Sequence, residues 1–315
     1  MSKLISVVIP TYNEEENVAP MTAAVRDMFL SDLPDYDYEI IFIDNDSKDD
    51  TRPRLRKICE QDDHVMAIFN AKNFGPFNSP YYGLLQAKGD AVVLLCADFQ
   101  DPIELIPTFV KEWEEGYKIV IGKKTTSKEN KVMYAIRSLY YKIIRKMSEV
   151  DQIEHFTGFG LYDSTFIEIL RKLNDPTPYL RGIVAEFGWK RKEIPYEQQK
   201  RRAGKSHYSL YEYYDAAMLG FTSYTKIGLR MATFFGFVIA AISFIIAVVY
   251  FILKLIYWDK YSVGMASIAV GLFFLGSVQL IFIGVVGEYI LSMNQRIMNR
   301  PLVIEECRIG KNKDE

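Results

Sequence analysis

Along the first 125 residues, short runs rich in apolar and β-branched positions alternate with longer stretches whose apolar positions recur at helical spacing. LISVVIP (4–10), YEIIFID (38–44), VMAIFN (65–70), AVVLLCA (91–97) and KIVIG (118–122) read as strands, and 15–30 and 51–61 as amphipathic helices between them. Near-continuous apolar strands that alternate with helices predict an α/β fold, with a mostly parallel sheet covered on both faces. The fourth run leads into a helix start: Asp101 is placed to cap it, Pro102 to fill its first turn and Glu104 to close a capping box.

Beyond residue 226 the pattern changes. Met231–Leu253 and Gly264–Gly287 contain no charged residue, and each meets the roughly 20 apolar residues that a bilayer core demands of a helix. Two transmembrane helices are expected. The link between them carries Tyr257, Trp258 and Tyr261, residue types of the interfacial belt, whereas Lys226, Arg230, Arg296, Arg300 and Arg308 flank the other ends. Positive-inside bias therefore puts both chain ends in the cytoplasm. Stretch 209–228 mixes tyrosines with apolar residues without being apolar enough to span, and reads as one or two interfacial helices or as a segment packed on the domain's own core. The first ten residues lack the apolar length and cleavage site of a signal peptide. The expected organisation is a cytoplasmic domain over 1–205, juxtamembrane helices over 206–228, a transmembrane hairpin over 229–292 and a cytoplasmic tail over 293–315. Gly264, Gly271, Gly284 and Gly287 offer small-residue positions for helix packing, so a homo-oligomer is expected.

A formal charge of −2 with 25% charged residues gives no electrostatic footprint for nucleic acid. Cys59, Cys96 and Cys307 are scattered and odd in number, which favours a reducing compartment over disulfides or a metal cluster. Candidate chemistry gathers at strand ends: PTYNEEEN after the first run, DNDSKDDT after the second, NAKNFG after the third and DFQDP after the fourth. Each alone is an ordinary capped loop. Four at the carboxyl ends of one sheet can converge on a single crevice, where open α/β sheets bind ligands.

Those segments, in order, carry a resemblance. SVVIPTYNEEENV, IDNDSKDDT, NFGPFNSPYYGLLQAKGD, ADFQDP and RRAGKSHYSL (201–210), followed by two apolar spans, resemble the family 2 inverting glycosyltransferases, and among them the polyprenyl-phosphate sugar synthases. The resemblance covers nearly the whole chain. It implies a GT-A fold, Rossmann-like, with a nucleotide-sugar donor across the first strand ends, UDP-glucose being the favoured donor and undecaprenyl phosphate the acceptor. On this sequence Pro10, Tyr12, Glu14, Asp44 and Asn73 fall in the nucleotide-binding set. Asp98 and Gln100 fall at the diphosphate and its Mg²⁺ or Mn²⁺, and Arg201 and Ser206 lie near the phosphates on a segment that closes over the donor. The catalytic set is then Asp98, Arg201 and Arg137; Lys124 and Arg137 join Arg201 and Ser206 as phosphate or lipid contacts. The location implied is a bacterial inner membrane, with the catalytic domain on its cytoplasmic side.

Three departures stand out. The frequent Asp-x-Asp of the family is Cys96-Ala97-Asp98, its Asp-Asp-Gly-Ser is Asp44-Asn45-Asp46-Ser47, and its Gly-Asp-Phe-Arg-Leu falls on Thr157-Gly158-Phe159-Gly160-Leu161. Mg²⁺ is commonly held by one or two carboxylates together with substrate phosphates and water, so Asp98 alone suffices for a lean site. Cys96, a poor ligand for a hard cation, is expected to be a small buried residue. Loss of an acid at Gly158 favours an acceptor that needs no general base. A phosphate monoester, with a second pKa of about 6, is such an acceptor. The basic stretch KRKEIPYEQQKRRAGK (190–205) suits an anionic head group. Two other readings remain open: a processive polysaccharide synthase subunit and a non-catalytic nucleotide-sugar-binding membrane scaffold.

Overall fold

A computed structural model describes residues 2–126, 153, 155–203, 210–225, 227–257 and 265–310. Eight strands form one sheet: β1 (Leu4–Thr11), β2 (Asp37–Asp44), β3 (Val65–Asn70), β4 (Ala91–Leu94), β5 (Ile119–Thr126), β6 (Phe156–Asp163), β7 (Arg191–Glu197) and β8 (Glu305–Ile309). Their order is β7-β5-β6-β4-β1-β2-β3-β8. β4, β1, β2 and β3 run parallel as neighbours, and antiparallel partners β6 and β8 flank this core. The alternation of apolar runs and helices therefore gives the Rossmann-like, mostly parallel sheet expected of it.

Side chains alternate between two cores, as a period of two requires. Ile5, Val7 and Ile9 of β1 pack with α1 (Val18–Asp32), α2 (Thr51–Gln61) and α4 (Ile106–Glu114). Val8, with Ile41 and Ile43 of β2, packs on the other face with α3 (Gly75–Gln86), α5 (Ser164–Leu173) and α6 (Leu180–Glu186). Because β1 has β2 on one side and β4 on the other, the chain order switches at β1. The crevice opens at that switch.

Several local expectations are corrected. β4 ends at Leu94 instead of residue 97. One further bond joins Leu95 N to Val8 O at 3.0 Å, after which the chain leaves the sheet for a turn with Phe99 at φ +60°. Asp101 does not cap a helix: a 3₁₀ turn (Ile103–Leu105) follows without a side-chain cap, and the Asp101 carboxylate instead accepts the Tyr196 hydroxyl of β7 at 2.7 Å. Residues 293–315 are not simply a tail. Glu305–Ile309 form β8, antiparallel on β3, and complete the sheet edge.

Three long helices follow the sheet domain: α7 (Leu210–Tyr224), α8 (Ile227–Ile256) and α9 (Met265–Met298). Among the described residues one segment, Phe274–Met298, is long and apolar enough to cross a bilayer, and α8 qualifies only when taken together with α7 across the bend between them. The expectation of two spans is thus supported for one. Leu272, Phe274, Leu280 and Ile281 of α9 are exposed, a surface suited to lipid. Its far end is fastened to α7 and to the domain: Arg296 donates to Ser223 Oγ of α7 at 3.1 Å and lies 3.7 Å from Asp175 of the domain, and the Tyr289 hydroxyl donates to Thr225 O, just after α7, at 2.6 Å. Tyr224, ending α7, packs on Tyr179 with ring centroids 6.0 Å apart. Lys226, Trp258, Tyr261 and Gly264 lie outside the described residues.

Gly160 marks the tightest point of the sheet core, where an added Cβ would sit 2.5 Å from Val120 O. Gly160→Ala is therefore expected to cost about 1–3 kcal/mol through overpacking, measured as a lowered apparent Tm of the purified protein.

Candidate active site

The turns that follow the four parallel strands are stitched together by short polar contacts. Asn13 N donates to Ser47 Oγ at 2.9 Å, and Lys48 N to Asn13 Oδ1 at 2.8 Å. Glu14 N donates to Thr51 Oγ1 at 2.8 Å, and Asn45 Nδ2 to Asn73 Oδ1 at 2.9 Å. Three of these turns contain a non-glycine residue in the left-handed region: Asn13 (φ +55°), Asp46 (+66°) and Phe99 (+60°). Such conformations cost on the order of 1 kcal/mol or more each, and persist where surrounding contacts over-determine them. Asn and Asp tolerate the region; Phe does not. Strain is therefore concentrated at Phe99, next to Asp98, in the turn after β4.

Two carboxylates face one cation in this crevice. Asp98, 6% exposed, accepts Gln100 N on Oδ1 at 3.1 Å and Arg201 Nη2 on Oδ2 at 2.9 Å. The other terminal nitrogen of Arg201 lies 4.0 Å from Glu14 Oε1, and Asn17 Nδ2 donates to Glu14 Oε2 at 2.6 Å. Burial raises the pKa of both Asp98 and Glu14 from the ordinary carboxylate value, against the lowering effects of their hydrogen bonds and of Arg201; the negative charges of Asp98 and Asp49 add to the rise at Glu14, and that of Asp101 adds to the rise at Asp98. Lys124 of β5 adds a further positive charge that favours the ionised Asp98.

The Arg201 segment is laid over the β4 turn by its backbone. Gln199 N donates to Gln100 O and Arg202 N to Asp98 O, both at 3.2 Å, and the Arg202 guanidinium sits 5.1 Å from the centroid of the Phe99 ring. Farther back, much of the basic stretch is committed elsewhere. Lys190 and Lys192 lie over the Tyr117 ring, Lys192 pairs with Glu112 at 3.0 Å, and Arg191 pairs with Glu193 at 3.3 Å. Only its carboxyl-terminal part reaches the crevice.

The expected site residues fare unequally. Pro10, Tyr12, Glu14, Asp98, Gln100 and Arg201 come together at the strand ends, with Pro10, Tyr12 and Gln100 half-buried. Asp44 is fully buried: Oδ1 accepts Arg52 Nε at 2.6 Å and Ser47 N at 3.2 Å, and Oδ2 accepts the Ser47 hydroxyl. Asn73 is exposed, its Oδ1 spent on Asn45 and on Gly75 N at 2.8 Å. Arg137 and Ser206 lie outside the described residues. The sequence reading overlooked Arg52, Asn17, Asn70 and Tyr196. Asn17, three residues after Glu14, carried a detectable signal, because that spacing on a helix start lets the two side chains meet. Arg52 and Tyr196 had none, since their partners Glu306 and Asp101 lie on segments remote in sequence.

The departures have structural reasons. Cys96 is exposed as a residue, not buried as expected, yet burial of its thiol and the neighbouring Asp101 and Asp98 push the thiol pKa well above the usual value, which leaves it a neutral group. Gly158 adopts φ +108°, a conformation in which an aspartate would be strained, and Tyr162 donates to its carbonyl at 2.6 Å. At Gly160 there is no room for a side chain. This backbone is built for glycine at both positions. For a divalent cation the donor set is lean but of the right chemistry: a hard carboxylate oxygen at Asp98, already holding a cation, beside Gln100. Among the described residues no group of three or more His, Cys, Asp or Glu side chains converges, so further ligands would have to come from diphosphate and water.

Comparison with known proteins follows the same outline. Residues 6–184 match the family described as Glycosyl transferase family 2. The SfII prophage-derived bactoprenol glucosyl transferase of Shigella flexneri is 32% identical over 301 residues, covering 95% of this chain and 96% of that one. The putative glycosyltransferase CsbB of Bacillus subtilis is 32% identical over 313 residues, covering 99% and 94%. Among solved structures, glucosyl-3-phosphoglycerate synthase of Mycobacterium tuberculosis, in a complex with Mn²⁺ and UDP, is 18% identical with a TM-score of 0.45, covering 68% of this chain and 76% of that one. With more than half of its length in that match, and relatives of this identity along nearly all of it, the chain belongs to glycosyl transferase family 2.

Proposed function

We propose that this protein transfers glucose from UDP-glucose to a polyprenyl phosphate of the undecaprenyl type, at the cytoplasmic face of a bacterial inner membrane. The products are a β-linked lipid-phosphate glucose and UDP. Relatives named bactoprenol glucosyl transferases, similar along 95% of this chain, support the acceptor and the sugar. The observation that carries the reading is the Arg201 guanidinium bridging Asp98 and Glu14 over the strand ends. A cation paired with the buried Asp98 and lying beside the half-buried Glu14 can pass to the phosphates of a donor.

In this reading Pro10, Tyr12 and Glu14 frame the nucleoside, and Asp98 with Gln100 holds Mg²⁺ or Mn²⁺. When bound, the ion offsets negative charge on the departing diphosphate. Arg201 swings from Asp98 to the phosphates and brings its segment down over the donor. Lys124, already close enough to influence Asp98, supplies positive charge on the β5 side; Arg137 and Ser206 join the phosphate contacts. The phosphate acceptor, mostly a dianion at neutral pH, attacks the anomeric carbon without a base, which is consistent with glycine at 158. Attack opposite the leaving UDP inverts that carbon. The two apolar helices α8 and α9 anchor the domain, with α7 at the membrane surface.

The decisive experiment supplies the full-length protein in nanodiscs with undecaprenyl phosphate, Mn²⁺ and a panel of UDP- and GDP-sugars, reading the lipid fraction by mass spectrometry. UDP-glucose is expected to give a hexosyl-phosphate lipid. Product from another sugar alone would overturn the donor assignment, and no lipid product from any donor would overturn the synthase reading. Asp98→Ala should lower kcat by about 100-fold or more, the usual scale for losing one preorganised electrostatic contact, and chelation should abolish turnover until Mn²⁺ is restored. Arg201→Ala should also lower kcat by about 100-fold, yet tighten the binding of Mn²⁺ alone, because the competing cation is gone. Weaker Mn²⁺ binding in that variant would contradict the exchange of partners at Asp98.

A further inference from the structure

Arg52, in the first turn of α2, distributes its guanidinium over three strand ends. Nε donates to Asp44 Oδ1 of β2 at 2.6 Å, Nη2 to Asn70 O of β3 at 2.5 Å, and Nη1 to Glu306 Oε2 of β8 at 2.8 Å. Asp46 lies 3.8 Å from Nη2, and the guanidinium carbon sits 5.5 Å from the centroid of the Phe69 ring. With its side chain 18% exposed, Arg52 has little freedom beyond these contacts. The contacts continue inward. Asp44 holds the backbone N and hydroxyl of Ser47, and the Ser47 hydroxyl accepts Asn13 N, one residue from Tyr12 and from Glu14. An unbroken chain of polar contacts thus runs from the carboxyl-terminal strand to the turn after β1.

β8 does not depend on this bridge for its place. Ala71 N donates to Ile304 O at 2.9 Å, the Tyr82 hydroxyl to Glu305 at 2.8 Å and Arg308 to Gln86 at 2.7 Å, while Val303 is buried. The Glu306 side chain, 51% exposed, adds nothing to the core. Among the described residues its side chain pairs with Arg52, and its effect falls on how that guanidinium is aimed. The strand itself begins seven residues after the end of α9 at Met298, so the sheet edge that orients Arg52 is continuous with the apolar helix.

We propose that Arg52, oriented by Glu306, is a positioning residue for the nucleotide-binding turns, so that the strand following the last long helix is a working part of the donor site. This rests on the reading of the β1 and β2 turns as nucleotide-binding. An arginine suits the role because a planar fork with five donors can hold three acceptors at fixed angles, which a lysine cannot.

The test is UDP binding by calorimetry in the presence of Mn²⁺, with donor KM and kcat measured on the same full-length preparations. Glu306→Gln is expected to raise the Kd for UDP and the donor KM by about 3- to 5-fold, the scale of a half-exposed ion pair, with kcat and acceptor KM within about 2-fold. Arg52→Ala, or Arg52→Lys should the first not fold, is expected to weaken UDP by about 10-fold or more. In the Arg52 background Glu306→Gln should then have no further effect, the signature of a shared interaction. Arg308→Gln, which removes a contact of β8 with Gln86 while the backbone ladder to β3 keeps Glu306 beside Arg52, should leave UDP affinity unchanged. Asp44→Asn separates the two levels of the argument: unchanged UDP affinity there would overturn the nucleotide-turn reading and this proposal with it. Weakened binding in Asp44→Asn, with Glu306→Gln like wild type or additive with the Arg52 change, would overturn the positioning role alone.

Discussion

Asp98 is held almost out of water at the end of β4, and a buried carboxylate is tolerable only with a compensating charge. Arg201 provides it, and much of the crevice follows from that pairing. The segment around Arg201 lies against the 98–100 turn because its guanidinium is anchored there, and the backbone contacts of Gln199 and Arg202 complete the closure. Glu14 is drawn into the same field from the turn after β1. In the proposed function, a donor that brings its own negative charge and a metal ion would compete for both sides of this pair at once. Ligand entry and rearrangement of the segment are then one equilibrium, because the differential interaction of Arg201 with carboxylate and with phosphate shifts it.

The same logic of unsatisfied groups explains the edges of the sheet. A parallel core leaves β3 with an open row of backbone donors and acceptors, which β8 closes after the chain has passed through α9. The opposite flank is closed by β6, β5 and β7, with Tyr196 of β7 reaching Asp101 beneath the β4 turn. Both flanks therefore end on residues that brace the crevice. Among the described residues the sheet domain meets the long helices through β8, through Tyr224 of α7 on Tyr179, and through Arg296 of α9 beside Asp175.

Cys96, Gly158 and Gly160 show how a departure from a family motif can be conservative in architecture. The left-handed backbone at Gly158 and the close approach of Val120 at Gly160 leave no place for the acid and the base that other members carry there. In the proposed reaction the site would rely instead on Asp98, Glu14 and Arg201, with a donor whose leaving group is neutralised and an acceptor that is already charged. Chemistry and backbone agree at these positions, which argues for a working site and against a decayed one.

The order of apolar runs and helices was enough to determine β1 to β5, α1 and α2, and the convergence of four polar turns at one end of a parallel sheet. Burial on both faces writes itself into a strand as continuous apolar sequence. β7 and β8 escaped because edge strands, half-exposed and rich in charge, carry no such signature, and β6 because two glycines interrupt its apolar pattern at positions that only close packing and a left-handed backbone explain. Asp98, Glu14 and Arg201 were legible as residue types in known motifs. That one guanidinium joins two carboxylates, and that Arg52 connects Asp44 to a strand some 250 residues distant in sequence, was decided only by folding. Local sequence fixes which groups are present at each strand end; partners brought from remote segments fix where those groups point, because a buried charge takes whatever counter-charge the tertiary structure places beside it.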